Sequence, residues 1–410
     1  MRILYVSQYF PPEMGAPAAR VSEISREWVR LGHDVTVLTG FPNHPTGVVP
    51  PAYRGKWFLR ERIDGINVVR VPIFATPNKG FARRVLMHLS FNISAAIWGL
   101  FVTGRPDLLI ATSPQFFTGL AGAWLAWLKR VPFVFEVRDL WPASIVEVGA
   151  MKSGTPIMRF LEWLEVALYR RSDLIIVVAE SFVGSIAAKG IPREKIAVIT
   201  NGVDLDLFRP GDRGSARRSL GLSEGFLATY VGTHGMAHGL GLVLDAAKLV
   251  ADERVHFLLV GEGAEKARLK ARAVAEGIGN VTFLDQQPRD RVAEIYAASD
   301  LCLVLLRNVD LFKGVIPSKI FEFMGAGRPI LTTVDGESRA IVEHAGAGQF
   351  SPPEDAAALA AAIRAMAAAP ARLTEMGAAG RAFVEANYSR PLLAEHYAAR
   401  LGAMLEAAAR

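Results

Sequence analysis

The sequence predicts an α/β protein built from two halves of one architecture, each a parallel sheet with crossover helices. Short apolar runs alternate with helical patterns through the first half, the order that strands and crossover helices of a parallel sheet produce. The second half repeats that scheme after the turn Asn201-Gly202-Val203-Asp204 and a polar connection at 210–225. A length of 410 residues supplies two or three domains with sizeable cores. Hydrophobic residues make up 51% and charged residues 21%, which describes a globular chain. The single cysteine, Cys302, lies in the apolar run 301–306, forms no internal disulfide and fits a reducing compartment. The net charge of +6 does not point to nucleic acid, because the basic cluster is interleaved with long apolar runs.

In chain order, residues 2–7 read as a buried strand rather than a signal peptide. Strands are expected at 3–6, 35–38, 66–71, 108–111, 133–137, 174–178 and 196–199. The first helix opens at Pro17, sets Val21, Ile24, Trp28 and Leu31 on one face and stops at Gly32. The loop before it, Pro11-Pro12-Glu13-Met14-Gly15, places Gly15 where backbone can approach a ligand, at the carboxyl end of a parallel strand. Glu136, Arg138 and Asp139 emerge at the end of a later strand and point toward where a cleft should be. Asp139 suits ligand hydroxyls and Arg138 an anion; the two also suit a structural ion pair. Ser113 and Gln115 sit at another strand end with no role assigned.

Strands of the second half are expected at 227–231, 256–260, 281–284, 301–305 and 330–333. The first runs into Gly232-Thr233-His234-Gly235-Met236-Ala237-His238-Gly239 and a helix at 240–250, a Gly-rich loop feeding a helix N-terminus and suited to diphosphate. Its spacing is not that of a dinucleotide fingerprint. Residues 312–330 read as a loop, a short helix capped by Ser318 and a new strand. The cap and Lys319 make an anion site, and Glu322 follows one turn later on the same face. A phosphate there leaves Glu322 beside a sugar with vicinal hydroxyls, and phosphate with ribose describes a nucleotide. The same residues also suit an ordinary capped helix with a solvated glutamate. Asp204-Leu205-Asp206 spells D-x-D, but at the junction it reads as a turn, and the histidines show no ligand spacing, so no metal and no cofactor are expected. An Ala-rich helical tail follows. The boundaries are 1–205 and 206–388, with a helix at 389–410 crossing back to the first domain.

Between Asp64 and Asp107 there is no acidic residue, while Arg70, Lys79, Arg83, Arg84 and Arg105 supply positive charge. Residues 85–102 are almost wholly apolar, with Phe91, Trp98 and Phe101. A basic segment leading into an aromatic-rich helix (about 79–103) suits docking on an anionic leaflet; a buried crossover helix has the same composition. The membrane reading assigns Arg83, Arg84, Trp98 and Phe101 to that contact.

Taken together these pieces resemble the retaining glycosyltransferases of family 4. The resemblance rests on Gly15, Gly32-His33-Asp34-Val35, Asn201-Gly202-Val203-Asp204, Val260-Gly261-Glu262-Gly263 and Pro317-Ser318-Lys319-Ile320-Phe321-Glu322. It implies the GT-B fold, two Rossmann-like domains facing across a cleft. Asp139-Leu140-Trp141-Pro142 and the basic apolar helix are similar to a bacterial subgroup, N-acetyl-fucosamine transferases among it, that builds O-antigen, capsule or exopolysaccharide units on undecaprenyl diphosphate. The resemblance assigns Gly15, Gly235, His238, Glu262, Gln287, Arg307, Ser318, Lys319 and Glu322 to the nucleotide sugar, with the base near 284–287, and gives Asp139, Arg138 and Lys319 to catalysis.

Two positions depart from the family pattern. Gly314 stands where the first of two glutamates separated by seven residues is usual, and Thr233 and His238 fall where the family has Arg and Lys. The diphosphate clamp then rests on Lys319, Arg307 and backbone N–H groups near Gly235 and Ser318. The implied enzyme moves a sugar, with retention, from a nucleoside-diphosphate sugar, UDP-linked by expectation, to an undecaprenyl-diphosphate-linked acceptor at the cytoplasmic face of the cell membrane. A nucleotide-sugar 2-epimerase of the same fold, or a non-catalytic nucleotide-binding subunit, is the alternative.

Overall fold

Apolar runs that carry no polar alternation become strands covered on both faces, which is how a parallel sheet is buried. The computed structural model describes all residues except Pro45, 77–80, Pro114, 148–151, Ser223, Asp252 and Arg410, and all helix side chains except those of Phe81, Ala82, Arg84, Glu147, Leu311 and Ala409. Lys79 and the Arg84 side chain, both assigned to the basic segment, lie outside the described residues. The chain divides into two units, Met1–Thr200 with Arg390–Arg410, and Asn201–Ser389.

In the first unit the order is β1 (Arg2–Val6), α1 (Ala16–Arg30), β2 (Asp34–Gly40), β3 (Leu59–Ile63), β4 (Ile66–Val71), α2 (Phe81–Val102), β5 (Leu108–Thr112), α3 (Phe116–Lys129), β6 (Phe133–Val137), α4 (Ala143–Glu147), α5 (Pro156–Arg171), β7 (Leu174–Val177), α6 (Glu180–Ala187) and β8 (Ile196–Val198). They form one sheet, β3-β4-β2-β1-β5-β6-β7-β8, parallel except for β3. The sequence reading missed β3. It is an edge strand whose Arg60, Glu61 and Arg62 hide any apolar alternation, the usual protection of an open edge. Chain direction reverses its path beside β1, so right-handed crossovers put α1 on one face and α2, α3, α5 and α6 on the other.

Val21, Ile24 and Trp28 of α1 are fully buried, but Leu31 is exposed, because the helix has already ended and Gly32 turns the chain at φ 84°.

The second unit runs α7 (Arg213–Leu220), β9 (Phe226–Val231), α8 (Gly241–Leu249), β10 (Val255–Val260), α9 (Lys266–Ala275), β11 (Val281–Leu284), α10 (Arg289–Ala298), β12 (Leu301–Val304), α11 (Lys319–Gly325), β13 (Ile330–Thr332), α12 (Glu337–His344), β14 (Gly348–Phe350), α13 (Ala356–Ala367) and α14 (Pro370–Asn387). Its parallel sheet is ordered β11-β10-β9-β12-β13-β14, with the reversal beside β9. The three-residue edge strand β14 was not predicted either; it is too short to carry a pattern. Cys302 is buried in β12, where burial pushes its thiol up to about 12.

Finally α15 (Arg390–Ala409) packs in the first unit against α1. The Trp28 indole donates to the Ala394 carbonyl (3.0 Å), Tyr397 meets the Trp28 ring edge-on at 5.0 Å, and buried Arg390 pairs with buried Glu23 at 2.5 Å.

Candidate functional site

In each unit the reversal of strand order opens a crevice at the strands' carboxyl ends. In the second unit that place holds residues 232–239 after β9 and the segment leading into α11. Lys319 is partly buried, and its Nζ lies 4.0 Å from the centroid of the Tyr230 ring. Among the described residues it has no ion pair. Burial pushes its ammonium down to about 7, with Glu322 pulling the other way. A cation held over an aromatic face without a carboxylate is stabilised by an arriving anion. Gly232 makes this possible: a Cβ there would sit 2.6 Å from Lys319 Nζ. Gly261 carries φ 144°, and its Cβ would come 1.9 Å from the Gly232 carbonyl oxygen, so the two loops close only as glycine.

His234 is fully buried, and neither ring nitrogen has a partner among the described residues. Burial, then Lys266, pushes it down to about 4; burial and Lys319 do the same to His238. Both are neutral at neutral pH, so His238 offers a hydrogen bond and no charge.

Glu322 is not solvated. One oxygen accepts from the Tyr296 hydroxyl (3.0 Å) and the other lies 3.5 Å from the Arg289 guanidinium. Ser318 differs from a standard cap: it has helical dihedrals and its hydroxyl makes no cap hydrogen bond. The N–H groups of Ile320 and Phe321 already donate to the carbonyls of Pro317 and Ser318, so the anion site narrows to Lys319 and the first N–H groups. Glu262 is engaged by Lys266, which also donates to Asp285 (2.6 Å) and to the Leu284 carbonyl (3.1 Å); its carboxylate braces the loop. Gln287 donates to the Asp285 carbonyl (3.1 Å) in the loop after β11. Arg307 is exposed, with its backbone N–H on the Ala237 carbonyl, which sets it beside the Gly235–His238 turn. Asp204 accepts from the N–H groups of Asp206 and Leu207, so D-x-D is a turn here.

In the first unit Gly15 takes φ 134° and precedes α1, whose N-terminus has no side-chain cap. Arg138 donates to the Ala16 carbonyl (3.2 Å), while its buried Nε and Nη1 have no partner among the described residues. A buried guanidinium with open donors can take up water or an anion. Arg138 forms no ion pair with Asp139. Burial raises the Asp139 carboxyl to about 6 against the pull of Arg138. Glu136 does not face a cleft, as the sequence suggested. It is fully buried, accepts from Tyr5 (2.9 Å), Thr112 (2.8 Å) and Arg20 (3.2 Å), and belongs to the core. Ser113 is buried and accepts from the Arg138 N–H (2.7 Å), which aims that loop.

The segment 85–102 is long and apolar enough to cross a bilayer, yet it is the crossover helix α2 and only a third of it is buried. Its outer side is one stripe at helical spacing: Leu86, Leu89, Ile93, Ile97 and Phe101, the last 77% exposed. Arg83 is exposed at its start. Trp98, expected at a membrane, is half-buried and packs against the exposed Phe58 ring at 5.7 Å.

Sequence reasoning missed Tyr230, Tyr296, Arg289 and Lys266, the residues that hold the named ones. Their signal is long-range: each lies more than twenty residues from Glu322, or on a strand or helix whose pattern reads as plain core or surface.

Residues 15–202 match the Glycosyl transferase 4-like domain and residues 225–369 the Glycosyl transferases group 1 family. The putative colanic acid biosynthesis glycosyl transferase WcaI of Escherichia coli K12 is 24% identical, covering 82% of this chain and 84% of its own. D-inositol 3-phosphate glycosyltransferase 1 of Catenulispora acidiphila is 29% identical, covering 87% and 84%. The crystal structure of Anabaena HepE in complex with UDP and glucose superposes with a TM-score of 0.73 at 19% identity, covering 98% of this chain and 99% of HepE, which shows a shared fold. With both family domains in order on two Rossmann-like units of the GT-B type, the chain belongs to the group 1 glycosyltransferases and is a glycosyltransferase.

Proposed function

We propose that the chain transfers a sugar, with retention, from a UDP-sugar to a polyprenyl-diphosphate-linked sugar in surface-polysaccharide synthesis, working at the inner face of the cell membrane. The observation that carries the donor half is Lys319, a lysine without a carboxylate, one turn from a glutamate held rigid by Tyr296 and Arg289. HepE, of the same fold, binds UDP and glucose, and WcaI is named for colanic acid biosynthesis; both favour this donor and this setting.

In this reading Lys319 and the N–H groups near Gly235 and Ser318 stabilise charge on the departing diphosphate. His238 adds a neutral hydrogen bond, Arg307 a peripheral positive charge, and Glu322 accepts from the ribose hydroxyls. The backbone near Gln287 meets the base. The acceptor hydroxyl attacks the face the diphosphate leaves and gives its proton to a phosphate oxygen, so no protein base and no metal are invoked. The first unit is assigned the acceptor: Arg138 takes a diphosphate and Asp139 sugar hydroxyls. A phosphorylated soluble acceptor is the second reading, favoured by the likeness to D-inositol 3-phosphate glycosyltransferase 1; the exposed stripe of α2 favours lipid.

Thermal-shift binding of UDP, GDP, ADP, CMP and dTDP tests the donor. UDP is expected to raise the melting temperature most, and Glu322→Ala to cancel the rise. No response to any nucleotide overturns the reading. Transfer onto a polyprenyl-diphosphate sugar but not onto inositol phosphate decides the acceptor.

A further inference from the structure

A helix layer facing water is polar on its outer side. Three helices of the first unit are largely apolar there, with Arg159 and Glu162 set among the rings of one of them. α2, α3 and α5 lie on one face of the sheet, α3 packed between the other two. Outside the stripe of α2, α3 exposes Trp124 and Trp127, a ring pair 5.4 Å apart, and α5 exposes Ile157, Phe160 and Trp163, whose two rings stack at 5.9 Å. Close packing holds the layer together: a Cβ on Gly99 of α2 would come 2.8 Å from Leu125 of α3, one on Gly119 of α3 would come 3.1 Å from Leu168 of α5, and one on Gly122 would come 2.4 Å from the Ala111 Cβ of β5. Aromatic and aliphatic side chains therefore stand on one rigid layer. A contiguous apolar surface of this kind marks an interaction site.

Charge says which partner. The first unit holds 26 Lys and Arg against 17 Asp and Glu, net +9, and the second 20 against 23, net −3. Arg130 and Arg171 border a cavity of about 600 Å³ beside Trp127, at the ends of α3 and α5. Lys129 is held at that end by the carbonyls of Thr103 and Gly104. Tryptophans on an apolar plane rimmed by arginines suit the interface of an anionic bilayer, rings at headgroup level and guanidinium groups on phosphates.

We propose that α2, α3 and α5 form one bilayer-seating plane, with an anionic lipid surface as its occupant. The assignment extends the membrane contact of the proposed function from one helix to three and rests on that reading.

Co-flotation of the full chain with vesicles tests it, using phosphatidylcholine alone and with 30% phosphatidylglycerol. The native chain is expected to float at least tenfold more with the anionic vesicles, and less as salt rises. Trp127→Glu with Trp163→Glu, both on exposed positions of α3 and α5, lowers flotation at least tenfold. Arg130→Gln with Arg171→Gln removes most of the preference for anionic lipid. Val274→Glu, on an 84% exposed position of α9, changes nothing. Unchanged flotation of the tryptophan pair, or equal flotation on neutral vesicles, overturns the proposal. So does a dimer that Trp163→Glu dissociates while neither form floats, since a second copy then covers the plane. The UDP-induced melting shift on the same preparations reports the donor reading separately: vesicle binding without it leaves the plane standing and removes the donor assignment.

Discussion

The two units share a parallel sheet flanked by helices and differ in what they leave outside. All seven tryptophans belong to the first unit, and four of them are exposed; the second exposes only Met236, Leu249 and Val274 among its described large hydrophobics. The first unit spends its exposed area on apolar rings and positive charge. The second keeps its unusual groups inward, a lysine over a tyrosine and two neutral histidines. One architecture thus carries an apolar, basic surface in one unit and inward-facing cationic and imidazole groups in the other, which is why function has to be argued from sites and not from the fold.

The sharpest way to break this division of labour is Lys319→Ala. Removing the cation from the leaving-group site costs about 3–4 kcal/mol in the transition state, roughly 10²–10³ in kcat/KM. Steady-state kinetics reads that, and vesicle flotation stays unchanged if the units divide the work. Arg138→Gln is the mirror experiment. It lowers transfer to a lipid-linked acceptor by about a hundredfold through loss of a charge-assisted contact, with the UDP-induced melting shift retained. A lost melting shift would move Arg138 to the donor.

The titration of Lys319 gives a smaller effect with a definite sign. In the free protein its ammonium loses its proton as pH rises through about 7, while bound phosphates favour the charged form. UDP binding therefore takes up a proton, and affinity falls roughly tenfold between pH 7 and 8.5. Calorimetry in two buffers of different ionisation enthalpy measures the proton, and Lys319→Arg abolishes the uptake. Smaller again is Tyr296→Phe, which removes one hydrogen bond to Glu322 and weakens UDP by about 1 kcal/mol, with the melting temperature of the free protein little changed.

Every strand expected from an apolar run is present, because a central parallel strand buried on both faces writes that run directly into the sequence. The two missed strands, β3 and β14, are both sheet edges, where charge or brevity erases the pattern. Lys319 and Glu322 were legible as a pair because one helical turn joins them. Tyr230 and Tyr296 were not, since their contacts with that pair are made across the sheet and across helices. Glu136 misled for the same reason: a carboxylate at a strand end looks functional until Tyr5, Thr112 and Arg20 are seen to surround it. The apolar helix misled only in detail. Composition announced α2 but could not reveal which side faces outward, nor that Trp98 turns toward Phe58.

The packing of α15 has a consequence for how the protein is made. Trp28, on the first helix to be synthesised, finds Ala394 and Tyr397 only after the whole second unit has left the ribosome. The second unit is a continuous insertion that can complete its own sheet during synthesis. The first must wait with one face of its core uncovered, so the usual order, amino-terminal domain first, is inverted at the last step. A chain released before residue 390 would therefore be damaged at its beginning.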